Sequence, residues 1–211
     1  MTVRCGYKQN ERLIEAIHNL ERLERVDANS INDALVIFAS LRAYRAVFEQ
    51  LKNAESMHLE LESLRENVDQ IVQELPAFSD ARQLVTNDIP ADLMLSTVWS
   101  ILQFVLRQLL CNAVAAALKV PGQVTVSATI EEDSQARYCR ISITNPGTLS
   151  PAMRDSILQR QPVLRQDGQY GTGLLAAGEL LGVLRGHLQY PKTAPGVVQA
   201  AALLTLGGDQ T

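Results

Sequence analysis

The chain has 211 residues, 46% apolar and 20% charged, enough for one large or two modest domains with real cores. A net charge of −4 without a basic block argues against nucleic-acid binding, and aromatics at 5% are too few for a single-strand stacking platform. Cys5, Cys111 and Cys139 show no CxxC spacing, Met1–Asn10 has no signal-peptide core and the apolar run Leu93–Leu106 is too short to span a bilayer, so a reduced, cytoplasmic setting off the membrane fits.

No Gly or Pro interrupts Gln9–Gln50. Leu13, Ile17, Leu20 and Leu23 recur at helical spacing, and Ile31, Leu35, Phe38, Leu41 and Phe48 continue the stripe, which predicts a long amphipathic helix. Asp27-Ala28-Asn29-Ser30 weakens the pattern, because these side chains compete for backbone hydrogen bonds, and marks a candidate break. Lys52–Ser56 reads as a link, with Ser56 capping a second helix that carries Leu59, Leu64, Val68, Ile71, Val72 and Leu75 and stops at Pro76. Such a hairpin exposes two apolar stripes, which a second copy would bury in a four-helix bundle. The expected domains are a dimerising hairpin over 1–76 and a mixed α/β domain over 77–211, an α+β chain as a whole.

In the second part a linker leads to a short strand near Gln83–Thr86, and a helix is expected from about Leu93 to Lys119, bent near Ser96-Thr97 and ended by Pro121-Gly122. Val124, Val126, Ala128 and Ile130 alternate as a half-buried strand does; Glu131–Gln135 is a hairpin link, and Tyr138, Ile141 and Ile143 lie in the returning strand. Thr148–Tyr170 is a polar loop with a short helix near Ala152–Gln159. Gly173–Leu184 is helix, and His187–Tyr190 and Val197–Leu206 are two final strands. The pattern predicts an antiparallel-rich sheet covered by helices on one face.

The chemistry concentrates in three places. Gln108 and Asn112 lie four apart on one stripe of the central helix, and two amides on a core-facing helix need partners; taken alone they also suit ordinary helix-surface amides. Asn145-Pro146-Gly147 follows a strand and is equally a plain turn signal. Gly171-Thr172-Gly173 opens a helix, where exposed N–H groups and the helix dipole favour phosphate.

In this order the three motifs resemble the ATP-binding domain shared by sensor histidine kinases, gyrase, the heat-shock chaperone ATPase and MutL. Gln108-Leu109-Leu110-Cys111-Asn112-Ala113 is similar to the histidine kinase Asn-Leu-Leu-x-Asn-Ala, and Gly171-Thr172-Gly173-Leu174-Leu175 to Gly-Thr-Gly-Leu-Gly, with Leu175 in place of the third glycine. Asn145 stands where the family has Asp. The resemblance covers roughly residues 80–207 and, with the hairpin in front, implies a histidine-kinase-like α/β-sandwich ATPase domain after a dimerisation and phosphoacceptor domain.

It also implies roles. ATP and Mg2+ would be the cofactors, with Asn112 the Mg2+ ligand, since a neutral carbonyl oxygen suits a hard cation held mostly by phosphate and water. Asn145 and Gly147 would meet the adenine, and Gly171 and Gly173 the phosphates. Gln108 stands where hydrolytic relatives carry a carboxylate base; an amide has no usable base, so simple hydrolysis is not expected. Asn29-Ser30-Ile31-Asn32-Asp33-Ala34-Leu35 resembles the phosphoacceptor motif with Asn29 at the His position, and His18, in Ile17-His18-Asn19-Leu20, is the other acceptor candidate. His58 and His187 read as structural. The leading expectation is a homodimeric, degenerate two-component signalling protein that meets a receiver domain through protein contacts, by way of Asn29, Asn32, Asp33, Arg42 and Arg45. The alternatives are a histidine phosphotransferase using His18 and an active ATP-dependent kinase core.

Overall fold

The computed structural model of the chain describes residues 45, 47, 51, 59–75, 83–132, 136–159, 163–164, 170–191 and 193–206. A five-stranded sheet forms its centre. Strands β2 (Val85–Asn87), β4 (Val124–Glu132), β5 (Arg137–Pro146), β8 (Gly186–Gln189) and β9 (Val197–Leu206) lie in the order β2-β4-β5-β9-β8. Only the β2–β4 pair is parallel; the other neighbours are antiparallel, as expected of an antiparallel-rich sheet. Alternation along the strands gives the sheet two unlike faces. Val126, Ile143 and Ala200 share one register row, Ala128, Ile141 and Ala202 the next, and all six are buried.

Helices cover that apolar face: α1 (Leu64–Glu74), α2 (Trp99–Ala117) and α4 (Gly173–Val183). α2 is the central element, packed against α1, α4, β4 and β5. It is long and apolar enough to cross a membrane by length and composition, yet Ile101, Leu102, Val105, Leu106 and Leu110 are fully shielded inside the fold. Its apolar character is therefore explained by the core it occupies. The opposite face of the sheet is polar. There Arg140 donates to Glu131 and, at 3.1 Å, to Gln189 Oε1, while Gln189 Nε2 lies 3.0 Å from His187 Nε2. This chain bridges β4, β5 and β8 across Leu203 of β9, whose register partners are Arg140 and His187. It accounts for the burial of a leucine on the polar side.

Two expectations are corrected at the start of this unit. The second helix expected from Ser56 to Leu75 is present over Leu64–Glu74 as α1, but Glu60–Ser63 ahead of it is a strand, β1; likewise the helix expected from Leu93 starts at Trp99, and Met94–Thr97 is a strand, β3, in place of the bend expected at Ser96-Thr97. β1 and β3 pair antiparallel, with Leu61 opposite Ser96 and Ser63 opposite Met94. The helix begins at Ser63, whose hydroxyl accepts from the Glu66 N–H at 3.3 Å. Periodicity misleads here because Leu59, Leu61 and Leu64 satisfy a helical and a strand spacing about equally over so short a run. Leu64, Val68, Ile71 and Leu75 then join the same core as α2 and the sheet. An internal polar link seals the junction: buried Asn67 donates to Glu62 at 2.8 Å and to the Ser63 carbonyl at 3.0 Å, and accepts from Gln103 of α2 at 2.6 Å. The first helix apart from Arg45 and Val47, the Lys52–Ser56 link, and with them His18 and Asn29, lie outside the described residues.

Candidate functional site

Three side chains on α2, Phe104, Gln108 and Asn112, stand one above another at four-residue steps and define a single stripe of the helix. Phe104 and Gln108 are half-buried and Asn112 is exposed. Asn112 Nδ2 donates to the Gln108 main-chain carbonyl at 2.8 Å, a bond back to the preceding turn. That leaves the Asn112 carbonyl oxygen as the group it offers outward, the atom type a hard cation takes.

Gln108 does something the sequence does not reveal. A Cβ placed on Gly173 would overlap Gln108 Oε1, with Cδ 3.2 Å away. The amide head therefore rests directly on the Cα of Gly173, at the first residue of α4. This contact joins the first and last motifs in space. The turn itself comes from β7 (Tyr170–Gly171), which pairs with β6 (Val163–Leu164), and from Thr172, whose side chain makes no capping bond. The Ala176 N–H bonds the Thr172 carbonyl at 3.0 Å, so the helix starts without help from a side-chain cap.

Leu175 is 4% exposed, and its neighbour Ala176 is equally enclosed. Together they form a small apolar cluster against which Phe104 and Val47, a helical residue of the N-terminal part, pack. The bulk of Leu175 thus faces inward. Neither Phe104 nor Val47 was foreseen as part of this region; the available signal was that Phe104 precedes Gln108 by one turn on its stripe.

Asn145 and Gly147 sit at the end of β5. Asn145 continues the helix-facing side of the strand, is buried, and lies opposite Val198 of β9. Its Nδ2 donates to the Pro146 carbonyl at 2.8 Å, so the donor is used within its own turn and the carbonyl oxygen remains. The turn is clamped from two sides. The Gly147 N–H bonds the Gly196 carbonyl at 2.9 Å, with Gly147 at φ +140° and Gly196 at φ +81°, and Gly122 (φ +152°) lies so close to the Pro146 ring that an added Cβ would meet Cγ at 3.0 Å. The structure thus brings Gln108, Asn112 and Gly173 together, while Asn145 and Gly147 form a separately braced turn on the same side of the sheet.

In the loop after Gly147, α3 (Pro151–Leu158) matches the short helix expected there and is capped by Ser150, whose Oγ accepts from the Met153 N–H at 3.2 Å. On it Arg154 Nε is buried without a hydrogen-bond partner. Arg107, one residue before Gln108, is held by Glu74 of α1, and the guanidinium bond keeps the Glu74 carboxyl below its usual range. Cys111 is half-buried and its thiol is pushed up by burial, against the pull of Arg107. Among the described residues no cluster of three or more His, Cys, Asp or Glu could hold a metal. A cation here would depend on phosphate oxygens and water with Asn112 as a single protein ligand, which suits Mg2+ and not Zn2+.

No protein-family model matches the sequence, and no curated protein matches it. Solved structures do. The Acinetobacter baumannii histidine kinase AdeS aligns with a TM-score of 0.54 at 14% identity, over 96% of this chain and 98% of that one. The histidine kinase domain of the E. coli osmosensor EnvZ gives 0.53 at 15%, over 74% and 94%, and the catalytic domain of histidine kinase ThkA gives 0.54 at 16%, over 71% and 97%. The sheet-and-helix unit therefore has the fold of a histidine kinase catalytic domain.

Proposed function

We propose that this fold serves a two-component signalling protein whose nucleotide-type site is degenerate and whose output is made by protein contacts. The carrying observation is the seat of Gln108 on Gly173. An amide lies where a hydrolytic relative would place a carboxylate base, and it lies against the turn that would receive phosphate. ATP with Mg2+ remains the ligand the site chemistry suits: Asn112 would offer the cation its carbonyl, Gly171 and Gly173 would offer main-chain N–H groups, and Asn145 an uncharged acceptor for the base. Calorimetry with Mg2+-ATP on the full chain tests this. Binding weaker than millimolar, or absent, supports the degenerate reading; micromolar binding lost on Asn112→Ala replaces it with an active kinase core.

A second reading, phosphotransfer through His18, is favoured by the position of β1. Because Glu60–Ser63 belongs to the sheet unit, a phosphoacceptor hairpin must be made from residues before Leu59. In this reading the division lies near residue 58, and the sequence offers Asp27–Ser30, where the apolar stripe weakens, as the link, with His18 ahead of it and Asn29 within it. An imidazole can accept a phosphoryl group and an amide cannot. Incubating the chain with a phosphorylated receiver domain should transfer label, and His18→Gln should abolish it; label that survives this change excludes His18. In either reading the protein works in the cytoplasm as a homodimer with a receiver-domain partner.

A further inference from the structure

The Leu175 cluster is not needed by either reading, and its geometry has a use of its own. Leu175 lies in the first turn of α4, two residues beyond the glycine on which Gln108 rests. Phe104 lies one turn before Gln108 on α2. The two helices thus present matched pairs, Gly173 with Gln108 and Leu175 with Phe104. Val47, from the N-terminal part, closes the second pair and also reaches the main core, as does Leu51 one turn further on.

We propose that Leu175 makes the first turn of α4 a docking socket for the chain's own N-terminal helix around Val47, so that this helix and the glycine turn move as one body. The side chain in the third-glycine position supplies most of the socket: a glycine there would leave Val47 and Phe104 only the methyl of Ala176 on this side, with a gap where Leu175 stands. Docking is transmitted along the α2 stripe, because Phe104, Gln108 and Asn112 share one rigid helix face, and a shift at Phe104 moves the amide that rests on Gly173. The socket stands on packing alone and requires no nucleotide.

Hydrogen exchange on the full-length protein, without nucleotide, tests it. Val47→Ala trims an apolar contact at a half-buried position, so the fold survives. It should raise exchange of the amides at 45–51 by about tenfold and also loosen the Ala176 N–H, while amides of β5 and β9 keep their protection. Leu175→Ala should do the same, and the double variant should add little to either single one, since both remove one contact. Unchanged exchange at 45–51 and at Ala176 in Val47→Ala overturns the proposal, as do fully additive effects of the two substitutions. A calorimetric titration with Mg2+-ATP on the same samples reads the nucleotide site separately, so a silent pocket does not mimic an absent socket.

Discussion

Gly173 and Gly186 show how the same residue type can be cheap or costly to replace. A Cβ on Gly173 meets the far end of a flexible glutamine, which can swing aside; one on Gly186 meets the Leu203 carbonyl, which is fixed in the β8–β9 ladder. Gly173→Ala should therefore cost less than about 1 kcal/mol and Gly186→Ala more than about 2 kcal/mol, read from urea midpoints. Cys139 gives a pH test. It is fully buried in β5, and burial pushes its thiol up to about 12 from an ordinary 9.0. Above pH 9 the unfolded chain loses this proton while the folded one keeps it, so stability falls as pH rises, by up to about 1.4 kcal/mol per pH unit. Cys139→Val should flatten that alkaline slope in a stability–pH series, and iodoacetamide at pH 8 should leave native Cys139 unmodified. At this scale the sequence was informative about residue types and silent about partners: Asn112 and Gln108 stand out by spacing, but the bond from Asn112 to the Gln108 carbonyl and the seat of Gln108 on Gly173 depend on rotamers and on a second helix.

At the scale of elements, β1 and α1 decide where the unit can be cut. β1 is the ladder partner of β3, and Leu64, Val68 and Ile71 fill the core beside α2. A fragment of residues 59–211 should fold, with a cooperative melt. One of residues 77–211 should not, because it exposes the α1 side of the core and removes the partner of β3; four buried side chains at about 1.5–3 kcal/mol each are a loss comparable to the roughly 5–15 kcal/mol by which domains are stable. Circular dichroism melts of the two fragments check this; a cooperative melt from 77–211 would show that β1 and α1 are dispensable. The long alternating strands β4, β5 and β9, the short helix α3 and the glycine-opened α4 were legible in the sequence, because period-two alternation and helix-start signals are local. β1 and β3 were not, since four-residue strands at a helix border carry too few side chains to fix a period. Trp99 could have hinted at the join: its indole N–H donates to the Glu60 carbonyl at 2.9 Å, a buried polar tip that must find a partner.

For the whole molecule, the apolar stripe Leu13, Ile17, Leu20, Leu23, Ile31, Leu35, Phe38, Leu41, read from the sequence, is the surface a second copy would cover in the proposed homodimer. Sedimentation should report a dimer at micromolar concentration for the full chain and a monomer for residues 59–211. A dimer from the fragment would relocate the interface to the sheet unit. The exposed Leu59, Leu61 and Met94 on the β1–β3 ribbon are the surface such a result would implicate.

The glycine beneath Gln108 also bears on how the motif is read. An alanine at 173 would have to move the amide aside, whether or not a phosphate ever arrives. The close approach of α2 and α4 therefore gives this glycine a packing role of its own, and Gly171-Thr172-Gly173 does not by itself argue for a bound nucleotide.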